Sequence, residues 1–150
     1  DGVDLGHWRH NAGGIDTNRD WGKYRQPEIK NITNYIVKAA KKSNSTVLVG
    51  IDFHSTQKDM YYTNETRNVT AHPDFIENWF TGIENGLKSY AYIPEQERAN
   101  STKPVSKGWF LKYFNANTIT YEIGDETPRD FVRVKAAVAA DEMMKLLLTW

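Results

Sequence analysis

Residues 47–53 read Val47-Leu48-Val49-Gly50-Ile51-Asp52-Phe53, a short and mostly apolar run that contains β-branched side chains. Such a run is typical of a strand that is covered on both faces. It therefore predicts a buried strand, with His54 just at its end. Ligands gather at the carboxyl ends of the strands in α/β sheets, so this histidine is a candidate functional residue.

A second strand is predicted from Thr118 to Ile123, because this segment combines β-branched residues with alternating polarity. Glu122 lies near the end of this segment, beside Gly124. The second strand thus repeats the arrangement of the first, with a titratable side chain close to its carboxyl end.

Three helices and a long loop are predicted around these strands. The first helix runs from Pro27 to about Lys42 and the second from Pro73 to Tyr90, each with apolar side chains on one face. The last helix is capped by Thr127 and is apolar almost all round from Phe131 to Leu148, so we expect it to be well buried. The polar segment from Pro94 to Gly108 holds two prolines and is predicted to be a loop. Alternating helices and strands indicate an α/β fold, a layered sheet with flanking helices.

The composition favours one domain and disfavours two classes of partner. A chain of 150 residues is long enough for a single hydrophobic core. Its 19 basic and 19 acidic residues form no long run of either sign, which argues against a nucleic-acid binder and a polybasic membrane anchor. No apolar stretch is long enough to span a bilayer. The composition does not indicate an oligomeric state.

The cellular location is indicated by few features of the sequence. The absence of cysteine excludes a disulfide framework, and the first four residues do not resemble a signal peptide. An export signal, if one exists, is therefore expected outside this sequence. Asn-x-Ser/Thr triplets can accept glycans in secreted eukaryotic proteins, although an Asn- and Thr-rich bacterial chain also produces them. They begin at Asn31, Asn44, Asn64, Asn68 and Asn100. The expectation is an extracellular or periplasmic location, with the cytoplasm as the alternative.

His54 and Glu122 each allow two interpretations when considered alone. A histidine after a strand can ligate a metal ion or serve as a hydrogen-bonded structural group. A glutamate on a buried strand is costly unless it is paired or functional, whereas one on an edge strand can face water.

The loop before the first helix holds a candidate carboxylate clamp, formed by Arg9, Asn18 and Arg19. Guanidinium groups can grip a carboxylate through two hydrogen bonds, and an amide adds a neutral donor. The alternative is that both arginines only form ion pairs with Asp4, Asp16 or Asp20.

Taken together, these residues resemble the zinc carboxypeptidase family, the carboxypeptidase A-like metallopeptidases, in order, type and approximate spacing. The matched segments span nearly the entire chain from Arg9 onward. They are Arg9, Gly14-Ile15-Asp16-Thr17-Asn18-Arg19-Asp20-Trp21, Pro27-Glu28, Phe53-His54-Ser55, Trp109 and Thr120-Tyr121-Glu122.

The resemblance implies a role for each matched residue. Asn18 and Arg19 would bind the terminal carboxylate of a peptide, and Arg9 would polarise the scissile carbonyl and stabilise the oxyanion. His54 would be one of three ligands to a single zinc ion. Glu122 would be the general base that activates water. The implied fold is part of a carboxypeptidase-like mixed sheet.

Lys107 matches a position at which members of the family set side-chain preference. Its ammonium would favour an acidic C-terminal residue in the substrate. The alternative is an exposed loop lysine without a role.

The family's first two zinc ligands come from a His-x-x-Glu motif upstream of the arginine loop, and this chain has none. The third residue after each of its four histidines is His10, Gly13, Gln57 or Phe75. We therefore expect residues 1–150 to be the C-terminal part of a single catalytic domain whose N-terminal part lies upstream with the remaining ligands. The alternative is a remnant that binds no metal.

The leading hypothesis is a zinc-dependent exopeptidase that removes C-terminal residues from peptides and is inactive as this isolated segment. Two alternatives remain at this stage. One is a zinc-dependent deacylase or amidohydrolase of N-acyl amino acids, and the other is a non-catalytic module that binds carboxylates. The expected partner is a peptide or a small amide substrate.

Overall fold

The computed structural model describes residues 2–149, which form four strands, four α-helices and two short 3-10 helices. The strands are β1 (Val49–Thr56), β2 (Met60–Thr63), β3 (Gln96–Arg98) and β4 (Asn117–Gly124). The helices are α1 (Pro27–Ser43), α2 (Phe75–Gly86), α3 (Ser106–Phe114) and α4 (Arg129–Leu147). The 3-10 helices cover Thr17–Arg19 and Lys88–Tyr90.

The four strands form one mixed sheet in the order β1-β4-β2-β3. β1 and β4 are parallel, β4 and β2 are antiparallel, and β2 and β3 are parallel. Helices flank the sheet on both faces, so the predicted α/β layered architecture is confirmed. In the β1–β4 ladder, His54 is the direct register partner of Glu122.

Side-chain alternation gives β1 and β4 one polar and one apolar face. Asp52, His54 and Glu122 share the polar face, because they occupy alternate or register-paired positions. Phe53 and Tyr121 lie on the opposite face, where their rings are 6.2 Å apart. The two strands therefore separate the candidate functional groups from the core.

The main core lies between the apolar face of the sheet and helices α2 and α4. The predicted apolar face of α2 is confirmed, since Phe75, Ile76, Trp79 and Ile83 are buried within the helix and Leu87 is buried just beyond it. Trp79 also donates a 2.7 Å hydrogen bond from Nε1 to the carbonyl of Ala139, which joins α2 to α4. The buried cluster consists of Tyr61, Phe75, Ile76, Trp79, Ile83, Leu87, Ile119 and Tyr121.

A buried ion pair joins α4 to the turn between β1 and β2. Lys135 is 1% exposed, and its ammonium contacts Oδ2 of Asp59. Tyr92 donates to Oδ1 of the same carboxylate at 2.9 Å, and Tyr121 donates to Oδ2 at 3.0 Å. Burial lowers the pKa of Lys135, and the charge and hydrogen bond of Asp59 oppose that effect.

Helix α3 packs against the polar face of β1 and β4. Gly50 permits this approach, because a β-carbon at that position would lie 2.9 Å from Cγ of Phe110. The ring of Trp21, from the N-terminal loop, lies 5.5 Å from the ring of Trp109 in α3 in a tilted arrangement, and the backbone amide of Trp21 donates to the carbonyl of Pro104. The arginine loop is therefore fixed to α3 beside the polar face.

The prediction of a loop from Pro94 to Gly108 is wrong at both ends. β3 covers Gln96–Arg98, and α3 begins at Ser106 and continues through Gly108. β3 has only three residues, too few to show alternation, and its formation depends on pairing with β2 rather than on local pattern. β2 itself was not predicted.

The last helix exists, but two expectations about it are wrong. It begins at Arg129 with Pro128 at the N-cap position, so Thr127 does not cap it, and it is not well buried. Lys135 is the only buried residue in α4, whereas Met144 is 54% exposed and Leu148, just past its end, is 80% exposed. Only one side of α4 contacts α2 and the sheet, so the rest of its apolar surface stays accessible. β1 also extends to Thr56, which places His54 inside the strand and not just at its end.

Within residues 2–149, no helix combines the length and the apolar character that a membrane span requires.

Candidate active site

A cleft of about 710 Å³ lies over the polar face of β1 and β4. All six residues singled out from the sequence line this cleft. They are Arg9, Asn18, Arg19, His54, Lys107 and Glu122. They come from the N-terminal loop, two strands and α3, so the fold brings together groups that are up to 113 positions apart in the sequence.

One carboxylate oxygen of Glu122 has no hydrogen-bond partner among the described residues. This atom, Oε2, is buried. Burial raises the pKa of Glu122. The charges of His54 and Arg9 lower this pKa, and the charge of Asp52 raises it further. A carboxylate with an unused lone pair is suited to accept a proton and return it.

His54 is held by a carboxylate two residues before it in β1. Its Nε2 lies 2.9 Å from Oδ2 of Asp52 and 3.1 Å from Nδ2 of Asn18. Its Nδ1 has no hydrogen bond to any described residue, which leaves this nitrogen available to a ligand. The hydrogen bond with Asp52 raises the pKa of His54, and burial opposes that rise.

Asp52 was not singled out from the sequence, yet it is the centre of the polar network. Its Oδ2 also accepts from Nδ2 of Asn18 at 2.9 Å and from the hydroxyl of Ser106 at 2.5 Å. Burial alone would raise the pKa of Asp52, but the bonds from His54, Ser106 and Asn18 outweigh burial and leave the pKa below 3.8. The available signal was an acidic residue inside an otherwise apolar strand, which is costly unless paired.

Asn18 links the N-terminal loop to both β1 and α3. One amide hydrogen goes to Asp52, while Oδ1 accepts from the backbone amide of Ser106 at 3.0 Å. The 3-10 turn that carries Asn18 is capped by Asp16, whose side chain accepts from the amide of Asn18 at 2.9 Å. Asn18 therefore has a structural role here, and its amide nitrogen also lies 3.1 Å from Nε2 of His54.

The two arginines of the loop share Asp16. Nε of Arg9 lies 2.8 Å from Oδ2 of Asp16, and Nη1 of Arg19 lies 3.9 Å from the same oxygen. Nη1 of Arg19 also donates to the carbonyl of Asn18 at 2.8 Å. The ion pair with Asp16 that the sequence offered as an alternative is present, and both arginines nevertheless line the cleft.

Lys107 is buried rather than exposed. Its ammonium donates to the carbonyls of Thr63 at 3.2 Å and Ala99 at 2.9 Å. Burial lowers the pKa of Lys107, and the charge of Glu97 opposes this. Two of its three hydrogens bind backbone carbonyls, so at most one remains for a ligand.

The zinc ion implied by the family resemblance can be tested against these groups. His54 fits a zinc ligand, because one ring nitrogen contacts a carboxylate and the other has no partner among the described residues. A catalytic zinc needs three protein ligands, and no group of three or more His, Asp or Glu side chains in residues 2–149 is arranged to hold a metal. The described chain thus offers one suitable ligand and does not form a zinc site by itself.

Comparison with known proteins supports the fold. No family model matches the chain, and no curated protein matches it. Among solved structures, it is similar to a candidate carboxypeptidase A from Shewanella denitrificans OS-217, with a TM-score of 0.55 and 16% identity over 95% of this chain and 41% of that one. It is also similar to a metallo-carboxypeptidase from Burkholderia cenocepacia, with a TM-score of 0.55 and 16% identity over 93% of this chain and 39% of that one.

A third similar structure is bovine thrombin-activatable fibrinolysis inhibitor in complex with a tick carboxypeptidase inhibitor. The TM-score is 0.53 and the identity 14%, over 83% of this chain and 46% of that one. The chain therefore spans less than half the length of each of these three neighbours. At these identities the likeness establishes a carboxypeptidase-like fold.

Proposed function

We propose that this chain is the C-terminal part of the catalytic domain of a zinc-dependent metallocarboxypeptidase, which hydrolyses C-terminal peptide bonds. The observation that carries the proposal is the convergence of Arg9, Arg19, His54 and Glu122 on one cleft. These residues lie far apart in the sequence, so their meeting in one cleft supports a shared role. The carboxypeptidase-like fold of the solved neighbours is consistent with it.

Glu122 is the proposed general base. Its unpartnered oxygen takes a proton from the attacking water, and the resulting carboxylic acid returns the proton to the leaving amine. Arg9 stabilises the negative charge that develops on the carbonyl oxygen. Arg19 and the side-chain amide of Asn18 bind the terminal carboxylate of the peptide.

Zinc, when bound, supplies the Lewis acidity that activates the water. Nδ1 of His54 is the proposed ligand from this chain, and the other ligands are expected upstream of residue 1. This expectation makes zinc content a property of the intact protein and not of residues 1–150.

The charge of the cleft supports an anionic substrate. Its lining holds four cationic side chains and two carboxylates, so the balance is positive. The cations are Arg9, Arg19, Lys103 and Lys107, and the carboxylates are Glu97 and Glu122.

The test uses the intact protein that contains this chain, with zinc measured by mass spectrometry and hydrolysis measured on matched substrates. We expect stoichiometric zinc and faster hydrolysis of an N-blocked dipeptide than of an N-acetyl amino acid. The reverse order of rates would indicate a deacylase. Protein that is folded but contains no zinc and hydrolyses neither substrate would indicate a carboxylate-binding module.

The clamp can be tested with Arg19→Met against Arg133→Met, which changes an arginine on α4 whose side chain is 83% exposed. A charge-assisted hydrogen bond contributes about 1.5–3 kcal/mol, so Arg19→Met should lower kcat/KM about 10- to 100-fold. The loss should vanish when the peptide ends in an amide, because that substrate has no carboxylate. Arg133→Met should match the wild type on both substrates.

A preference for acidic C-terminal residues is the finer part of the proposal. Lys107 lines the cleft and contributes a positive charge, although two of its hydrogens already bind backbone carbonyls. We expect dipeptides ending in Glu to be hydrolysed faster than those ending in Leu or Phe. Faster cleavage of the apolar substrates would show that Lys107 serves only to hold the loop that carries Ala99.

A further inference from the structure

Three segments of the chain meet at one carboxylate oxygen. Oδ2 of Asp52 contacts Nε2 of His54 at 2.9 Å, Nδ2 of Asn18 at 2.9 Å and Oγ of Ser106 at 2.5 Å. An ionised carboxylate can only accept hydrogen bonds, so each of these three atoms must donate to it. The contact with His54 therefore requires a hydrogen on Nε2.

The surroundings of His54 contain a competing donor. Nδ2 of Asn18 lies 3.1 Å from the same Nε2. The amide of Asn18 cannot rotate to present its oxygen there, because Oδ1 already accepts from the backbone amide of Ser106 at 3.0 Å. Without the carboxylate, the polar neighbour that remains close to Nε2 is a donor.

We propose that Asp52 is a positioning residue that holds His54 as the Nε2–H tautomer and so presents Nδ1 as the acceptor nitrogen of the ring. The tautomer follows from geometry alone. Its consequence for metal binding rests on the proposed function. The same oxygen holds Asn18 and Ser106, so it also fixes the arginine loop and the first turn of α3 relative to β1.

The removal of the carboxylate should reverse the tautomer. Asp52→Leu keeps the branched shape of the side chain but removes the acceptor, so Asn18 should donate to Nε2 and the proton should move to Nδ1. Asp52→Asn keeps a carbonyl oxygen in place and should retain the Nε2–H tautomer. Ser106→Ala removes another donor to the same oxygen and should also leave the tautomer unchanged.

The test is a long-range proton–nitrogen correlation spectrum of the metal-free intact protein with labelled histidine, recorded over a pH series up to the range in which the His54 signals no longer change and the ring is neutral, because the hydrogen bond with Asp52 raises the pKa of His54 above its ordinary value. A His54→Gln spectrum assigns the signals. In the wild type we expect a protonated Nε2 and an unprotonated Nδ1, and in Asp52→Leu the reverse. A protonated Nδ1 in the wild type would overturn the proposal, and so would a wild-type pattern in folded Asp52→Leu.

Asp52→Ala provides a second route if the leucine variant does not fold, because it removes the acceptor without filling the space. The same reversal is expected. A protonated Nε2 in folded Asp52→Ala would count against the proposal.

Zinc affinity, measured by competition with a chelator, separates this inference from the proposed function. Loss of a partner that orients a metal-ligating histidine lowers affinity about 10- to 100-fold, and Asp52→Leu should show such a loss while Ser106→Ala does not. If the wild type binds no zinc, the proposed function fails and the tautomer result is unaffected. If the wild type and Asp52→Leu bind zinc equally tightly, the positioning role fails and the function stands.

Discussion

Replacement of Asp59 by alanine should destabilise the protein more than replacement of its partner Lys135 by methionine. Asp59→Ala leaves an ammonium that is 1% exposed without a counter-charge, together with two tyrosine hydroxyls that lose their acceptor. Removal of one partner of a buried ion pair costs about 3–5 kcal/mol. The cost has an upper bound, because Lys135 can lose its proton instead.

The upper bound on the destabilisation by Asp59→Ala follows from the ordinary pKa of lysine. At pH 7, deprotonation of a group with a pKa of 10.5 costs about 5 kcal/mol, at about 1.4 kcal/mol per unit. In Asp59→Ala the folded protein binds fewer protons than the unfolded chain, so its stability rises with pH. The variant should therefore regain at most about 2.7 kcal/mol relative to the wild type between pH 7 and pH 9.

Lys135→Met is expected to cost about 1–3 kcal/mol, because Asp59 keeps two tyrosine donors and partial contact with solvent. The double variant should cost less than the sum of the two single variants, since the residues share one interaction. Lys145→Met, which breaks the exposed pair with Glu142, is the control and should leave stability unchanged within error.

The assay is equilibrium urea denaturation at several pH values, followed by tryptophan fluorescence. The reasoning is refuted if Lys135→Met costs more than Asp59→Ala, or if the cost of Asp59→Ala does not fall between pH 7 and pH 9.

Three further predictions concern single side chains. Glu122→Gln should lower kcat about 10²- to 10⁴-fold. Because burial raises the pKa of Glu122, the variant should also stabilise the folded protein slightly at neutral pH, and this gain should vanish in acid, where the carboxyl group is neutral in both the folded and the unfolded chain. Gly50→Ala should lower the free energy of unfolding by about 1–3 kcal/mol, because the new β-carbon would meet Phe110. Gly108→Ala should stabilise α3 by about 0.5–1 kcal/mol, because its β-carbon would have nothing within 4 Å. Urea denaturation measures both variants, and equal effects would contradict the reasoning. Trp79→Phe should cost about 1–2 kcal/mol in the same assay, because the α4 carbonyl loses a 2.7 Å hydrogen bond, and an unchanged midpoint would count against it.

The strongly patterned elements could be predicted from the sequence. The apolar run before His54, the strand around Glu122 and the apolar face of α2 all appear in the structure, because each carries its signal within a few consecutive residues. Helix α3 and strand β3 were missed for the opposite reason. Both depend on distant partners, namely the polar face of β1 and β4 for α3, and β2 for β3.

The exposure of α4 shows a related limit of prediction from the sequence. Its composition is apolar almost all round, but composition does not state how many neighbours a helix has. In the candidate site, too, the sequence does not reveal the roles that depend on contacts between distant residues. Six of the residues that line the cleft could be named from the sequence, whereas the role of Asp52 depends on contacts to residues 34 and 54 positions away.

The ladder between β1 and β4 has a consequence for how such a protein can diversify. His54 and Glu122 face each other across backbone hydrogen bonds, so their separation is set by the spacing of strands and not by any variable turn. Arg9, Arg19 and Lys107 belong to the N-terminal loop and the start of α3 instead. Substitutions or insertions in those outer segments can alter the lining of the cleft while His54 and Glu122 keep their alignment. A library that varies only the loops should therefore yield altered selectivity more readily than one that varies the sheet.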